Sequence, residues 1–273
     1  MLSALNEQEE TVMAWEVTWE DGPFFCPACE EEVILKKGAI LIHHFAHYPE
    51  ASCSYGTGES EQHRQAKYEI YQALRGHPSI SHLKVERYLK EVRPDVSFLW
   101  QRKWKVAIEM QISAISPDEI AYRTRCYADK DIWVLWTIPY HNTISGWIPY
   151  NTRVWERYLH ALYFGRVYYW LGGARLLPIH FEPYVQDSTL EQYYDEDEQK
   201  VKLKSKLTYS PVLRDVDLGE AVAITDLRPV TRRAIRLGKF ALPGAQLWSM
   251  PASQGKSSQD SLLPSASETE GGQ

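Results

Sequence analysis

The amino-acid sequence predicts an α/β protein built on a mixed sheet flanked by helices. Three observations carry that expectation. Between residues 59 and 140 the apolar pattern runs helix, three strands, helix, strand, and a crossover helix between strands implies at least one parallel pair. The run Ile132-Trp133-Val134-Leu135-Trp136-Thr137-Ile138 is β-branched and aromatic, lies between Asp131 and Pro139, and reads as a strand buried on both faces. Cys26, Cys29 and Cys53 lie with three histidines in one turn-rich stretch, which points to a metal-bound module ahead of the sheet.

Taken in order, residues 12–20 read as a strand and residues 21–58 as the Cys/His module. Ser60 is a candidate N-cap for a helix from Glu61 to about Arg75, which Gly76 ends. Strands are expected near His82–Tyr88, Val92–Leu99 and Lys105–Ile112. Ser116-Pro117-Asp118-Glu119 is a capping box with proline at the first helical position, opening a helix to about Lys130. A second unit follows the apolar strand: a helix over 152–164, then a hairpin from Val167 through Gly172-Gly173 to Phe181. Residues 186–206 pass from acidic to lysine-rich and read as a solvated linker, with a small ordered segment over 210–245. From residue 246 the composition predicts a disordered tail. The expected domains are therefore 1–58, 59–140, 141–245 and 246–273.

At 273 residues and 44% hydrophobic content, with ten Trp and seventeen Tyr, the chain can bury a sizeable core. No apolar run is long enough to span a bilayer and no leader pattern precedes residue 10, so a soluble cytoplasmic protein is expected. The net charge of −6 equals the charge of residues 187–198 alone, leaving the remainder neutral. Composition therefore predicts neither a polyanion partner nor its absence.

Three constellations carry chemistry. Cys26-x2-Cys29 in a proline-containing turn is a half-site for a tetrahedral ion, and His47 with Cys53 completes a closed structural site, with His44 as substitute. Zn²⁺ is the expected ion. In Lys105–Ile112, strand alternation puts Glu109 and Gln111 on the face opposite Val106, Ile108 and Met110, and the preceding strand delivers Asp95 beside them. Converging hard oxygens suit Mg²⁺ or Mn²⁺, with Gln111 orienting water for attack on a phosphodiester. On the first helix, His63, Lys67, Ile70 and Leu74 form one stripe, with Glu59 one turn earlier. The functional reading aims His63 and Lys67 at a phosphate and Glu59 or Glu61 at the metal; the competing reading is a Glu–His–Lys ladder on an exposed face. Arg123 and Tyr127, one turn apart, are candidate phosphate contacts, against a surface arginine and a packed tyrosine.

Together, Cys26-Pro27-Ala28-Cys29, His44-Phe45-Ala46-His47, Glu59-Ser60-Glu61-Gln62-His63 with Lys67, Arg93-Pro94-Asp95-Val96, Ala107–Ser113 and the Arg123/Tyr127 helix resemble the CoiA-like competence proteins, a branch of the PD-(D/E)xK nuclease superfamily. The resemblance spans roughly residues 20–185. It implies a PD-(D/E)xK nuclease-like mixed sheet behind a small N-terminal zinc-ribbon-like module, with a C-terminal α+β extension. It further implies Asp95 and Glu109 as metal-binding acids, and a role in processing or RecA-dependent recombination of incoming single-stranded DNA during transformation. Gln111 stands where many relatives carry lysine. Glutamine orients water or phosphate but supplies no positive charge, so Lys67 is the candidate to replace it. Two rivals follow: a non-catalytic mediator that binds single-stranded DNA and a recombinase, and a nuclease of a mobile element or defence system.

Overall fold

The computed structural model describes residues 1–56, 58–195 and 199–251. The N-terminal part is a five-stranded antiparallel sheet: β1 (Ser3–Leu5), β2 (Thr11–Met13), β3 (Phe24–Phe25), β4 (Glu32–Lys36) and β5 (His44–His47), in the order β2-β1-β3-β4-β5. Alternation in β4 turns Val33 and Leu35 inward, where they pack with Phe24 and Phe45. The expected strand over 12–20 is shorter. It ends at Met13, and Trp19–Asp21 is a 3-10 turn stapled by Asp21, whose carboxylate accepts from the Thr18 amide at 2.7 Å.

The larger sheet begins after helix α1 (Glu61–Leu74). It continues through β6 (Ile80–Val85), β7 (Val96–Trp100), β8 (Trp104–Met110), α2 (Pro117–Asp129), β9 (Ile132–Pro139), β10 (Tyr150–Asn151), α3 (Val154–Leu162) and β11 (Val167–Gly172). It closes with β12 (Arg175–Asp195), β13 (Lys200–Leu218), β14 (Val222–Ala223), β15 (Arg228–Arg232) and β18 (Ala245–Ser249), while β16 (Ile235–Leu237) and β17 (Phe240–Leu242) form a separate two-stranded hairpin. Strands β6, β7 and β8 form an antiparallel meander, and α2 then carries the chain to β9, parallel to β8. Ser60 caps α1 by accepting from the His63 amide at 3.2 Å, and Ser116 caps α2 by accepting from the Glu119 amide at 3.1 Å. Among the described residues no helix is long and apolar enough to cross a membrane.

β9 is the centre of the molecule. All seven residues from Ile132 to Ile138 are buried, as a strand covered on both faces requires. On its second edge β11 pairs with Thr137–Pro139 and β18 with Val134, both in parallel. The Tyr163 hydroxyl fills the gap between them, accepting from the Trp136 amide at 2.8 Å and donating to the Val134 carbonyl at 2.9 Å. A buried backbone step with no strand partner is thus satisfied by a side chain.

Two expectations are corrected here. The stretch read as a solvated linker over 186–206 is extended chain: β12 and β13 pair antiparallel from Ile179↔Leu218 to Asp195↔Lys200. The register sets Glu191 opposite Lys204 and Asp195 opposite Lys200. Residues 196–198 lie outside the described residues. The tail expected from 246 begins later, because β18 enters the core and Trp248 is fully buried with its indole N–H on the Ile224 carbonyl at 2.9 Å. The rest of the expected tail, 252–273, lies outside the described residues. Trp248→Ala is expected to lower the unfolding free energy by about 3–5 kcal/mol, the cost of emptying a large buried aromatic site, measured by urea denaturation.

Candidate metal centres and the carboxylate cluster

The cap at Ser60 fixes the first turn of α1, so Glu59, His63 and Lys67 follow one another along its inner face. His63 bridges outward from the helix: Nδ1 lies 3.3 Å from Glu59 Oε1 and Nε2 lies 2.9 Å from Asp95 Oδ2. Asp95 sits at the entrance to β7 and is fastened to β8 twice. Its amide donates to the Ile108 carbonyl at 3.0 Å, and its Oδ2 accepts from the Met110 amide at 2.7 Å. Burial acts to raise the Asp95 pKa, but the His63 charge and hydrogen bond outweigh it and hold the carboxyl below its ordinary value. For His63 the same pair works in reverse: burial pushes the imidazole down and Asp95 more than restores it.

Lys67 was expected to reach a phosphate. Its side chain is instead 0% exposed and ion-paired with both Glu59 and Glu86. A buried ammonium needs such partners, since desolvating it alone costs several kcal/mol. Burial lowers the Lys67 pKa, and the charges of Glu86, Asp95 and Glu59 together carry it above normal. Glu86 completes the network: its Oε2 accepts from the Leu2 amide at 2.7 Å, and its backbone carbonyl accepts from the Tyr55 hydroxyl at 2.9 Å. Burial opposes ionisation of Glu86, and Lys67 overrides it, holding the acid well below the usual carboxylate range. Glu86 has φ of +52°, a left-handed conformation held by these contacts at the edge of the site. Sequence reading missed it, because His82–Tyr88 reads as a strand and a lone glutamate near its end carries no signal of its own.

Glu109 faces Asp95 across the hairpin, one position beyond the Val96↔Ile108 pair. It was expected to open onto free space but is 2% exposed. Arg123 and Tyr127, one turn apart on α2, occupy one carboxylate oxygen each. Burial pushes the Glu109 pKa up to about 7 against the pull of Arg123. The two facing carboxyls are therefore driven apart, Asp95 ionised and Glu109 poised near neutrality. The phosphate contacts expected of Arg123 and Tyr127 are not what the structure displays: both side chains are spent on Glu109, and Tyr127 is fully buried. Gln111 is nearly buried and its amide donates to the Ser113 carbonyl, which turns it back onto its own loop.

The donor atoms of Glu59, His63 and Asp95 lie within 4.8 Å of one another and could hold a metal ion. Among the described residues Glu59 Oε2 is buried and accepts no hydrogen bond, an orphaned oxygen that a cation would satisfy. Two carboxylates and an imidazole fit a divalent ion. In this arrangement Asp95 is joined by Glu59, which the sequence aims at the metal, and by His63, which it aims at the phosphate, while Glu109 is not part of the group.

The second cluster is the Cys/His module. Ligand atoms of Cys26, Cys29, His47 and Cys53 lie within 4.8 Å of one another, and Cys29 Sγ is 3.4 Å from His47 Nε2. The Cys26–Cys29 turn joins β3 to β4, and β5 delivers His47 opposite Val33. The Ala28 and Tyr55 amides donate to Cys26 Sγ and Cys53 Sγ, both at 3.4 Å, polarising sulfurs suited to a thiolate-bound ion. Burial pushes the Cys29 thiol up to about 12, which metal binding would offset. His44 stands apart, its Nδ1 2.8 Å from the Ile42 carbonyl.

A mixed α/β core with a carboxylate cluster at the head of its hairpin, preceded by a Cys/His module, defines a nuclease-like protein with a metal-ready N-terminal domain. Residues 59–148 match the competence protein CoiA nuclease-like domain, and residues 6–56 match the CoiA N-terminal domain. The chain belongs to the CoiA family of competence proteins. It is 30% identical over 139 residues to the competence protein CoiA of Bacillus subtilis (strain 168), an alignment covering 49% of this chain and 36% of that protein. No solved structure matches the chain at a significant level.

Two outcomes follow. Lys67→Met is expected to destabilise the fold by about 3–5 kcal/mol in urea, because it strands two buried acids, with part of the loss recovered in Lys67→Met/Glu86→Gln. Elemental analysis of purified protein is expected to find about one zinc per chain, lost in Cys26→Ser and retained in His44→Ala, as a closed four-ligand site requires.

Proposed function

We propose that this protein processes DNA during transformation or recombination, with residues 59–148 acting as a Mg²⁺- or Mn²⁺-dependent deoxyribonuclease of the PD-(D/E)xK type. One observation carries the reading: a buried oxygen of Glu59, without a hydrogen-bond partner among the described residues, converges with His63 and Asp95 at the mouth of the hairpin. Asp95 and Glu59 would hold the ion with His63, and Glu109 would join once Arg123 or Tyr127 releases an oxygen. A bound divalent ion would polarise a phosphodiester and ease deprotonation of water. The chain's own residues set the stage for that chemistry. Lys67, from inside the core, holds Glu59 in place through an ion pair rather than replacing the charge that Gln111 lacks. Glu109, near neutrality, exchanges a proton at physiological pH, and Arg123 orients it. Zinc in the Cys/His module is structural in this reading, since four protein ligands leave no open position.

A second reading is favoured by a different observation. Gln111 is turned onto Ser113, and both oxygens of Glu109 are engaged. A site so occupied suits a mediator that binds single-stranded DNA and a RecA-type recombinase without cutting.

The test is a cleavage assay on single-stranded, double-stranded and branched DNA with Mg²⁺ or Mn²⁺. Cleavage is expected, with Asp95→Ala and His63→Ala reducing it about a hundredfold or more, the scale of a lost catalytic group. No cleavage of any form, together with DNA binding unchanged in Glu109→Ala, would sink the nuclease reading. Tight single-strand binding without cleavage would transfer support to the mediator.

A further inference from the structure

The face of the hairpin that bears Asp95 and Glu109 continues past them. Alternation puts Ser97 and Leu99 on that face of β7, and the register sets Ala107 and Lys105 opposite them on β8. Ser97, Leu99 and Ala107 line the floor of an open groove of about 540 Å³, whose lining also includes Pro94. Its rim is cationic: Lys84 and Arg87 stand on one side, Lys105 and Lys130 on the other. Lys130 is already paired with Glu91 at 2.7 Å, whereas Arg87 and Lys105 are exposed. A chain of net charge −6 thus gathers positive side chains around one groove whose lining also includes Pro94, the residue before Asp95.

We propose that this groove is a track for a single strand of nucleic acid, its phosphates over Arg87, Lys105 and Lys84 and its sugars or bases against Leu99 and Pro94. Charge complementarity selects a polyanion. Size selects the single strand: clefts of roughly 300–1,000 Å³ enclose ligands of drug size, a nucleotide or two, and not a duplex. The apolar floor selects it again, because a duplex offers mainly phosphates to a protein face, whereas an opened strand exposes bases to pack. Asp95 to Leu99 spans about 13 Å at roughly 3.3 Å per strand residue, which sets the separation along the chain between the groove and Asp95. The inference borrows from the proposed function only the class of polymer; strand binding here requires no cleavage.

The experiment is fluorescence anisotropy with a short labelled oligothymidylate in EDTA, over a series of salt concentrations. The protein is compared with Arg87→Ala/Lys105→Ala and with Arg233→Ala/Arg236→Ala, exposed arginines near β16 that serve as the control. Thermal melts establish that each variant is folded. The groove variant is expected to bind several-fold more weakly. Its slope of log affinity against log salt should be shallower by about 1.4, from roughly 0.7 per phosphate contact of a single strand. The control should match the unaltered protein. Absence of oligothymidylate binding, an unchanged slope in the groove variant, an equal loss in the control, or equally tight binding of a duplex of the same length would each overturn the proposal. The two readings fail separately: metal-dependent cleavage with an unchanged slope removes the groove and keeps the nuclease, while groove-dependent binding without cleavage does the reverse.

Discussion

The buried ammonium of Lys67 is the interaction on which the rest of the site depends. It lies among Glu59, Glu86 and Asp95 where water does not reach, and its positive charge helps hold Glu86 and Asp95 below the ordinary carboxylate range against the effect of burial. Such a network is weak evidence for net stability, since desolvation consumes most of the Coulombic gain. Its effect is positional. Helix α1, the turn after β6, the entrance to β7 and the Leu2 amide must all come to one point, because withdrawing any of them leaves a charge or a polar group stranded.

This constraint joins the two parts of the chain. Glu86 accepts from Leu2 and from Tyr55, and Tyr55 follows Cys53, the last residue of the Cys/His cluster, by two positions. The Arg93 guanidinium lies 4.4 Å from the centre of the Tyr55 ring, next to Pro94 and Asp95. The N-terminal module therefore buttresses the carboxylate cluster through a few specific contacts, so the geometry around Asp95 depends on how that module is folded.

The local signals in the sequence were read well where they are local in origin. Ser60 and Ser116 cap helices because a hydroxyl one residue before a helix can meet a free amide, whatever the fold. The apolar run of β9 and the alternation in β8 reflect burial patterns that few other arrangements satisfy. The ribbon of β12 and β13 reads in the sequence as a linker because an acidic block and a lysine block each look solvated, and their antiparallel register is a long-range feature. β18 was missed for a related reason: five residues carry too little pattern to mark a strand, and Trp248 becomes core only because β9 has an open edge for it.

The sequence by itself determined which side chains are available for chemistry: the acids and amide of the hairpin, the Glu59–His63–Lys67 stripe, and three cysteines with a histidine at ligand spacing. Tertiary structure decided what each of them does. It drew Glu59 and His63 to Asp95, closed Arg123 and Tyr127 over Glu109, sealed Lys67 in the core and brought in Glu86 from the turn after β6. The reason is physical. Spacing along the chain sets which face of an element a residue occupies. Whether that face meets water, a carboxylate or a neighbouring helix depends on long-range packing, and it is this neighbour that fixes the charge and protonation of a buried group.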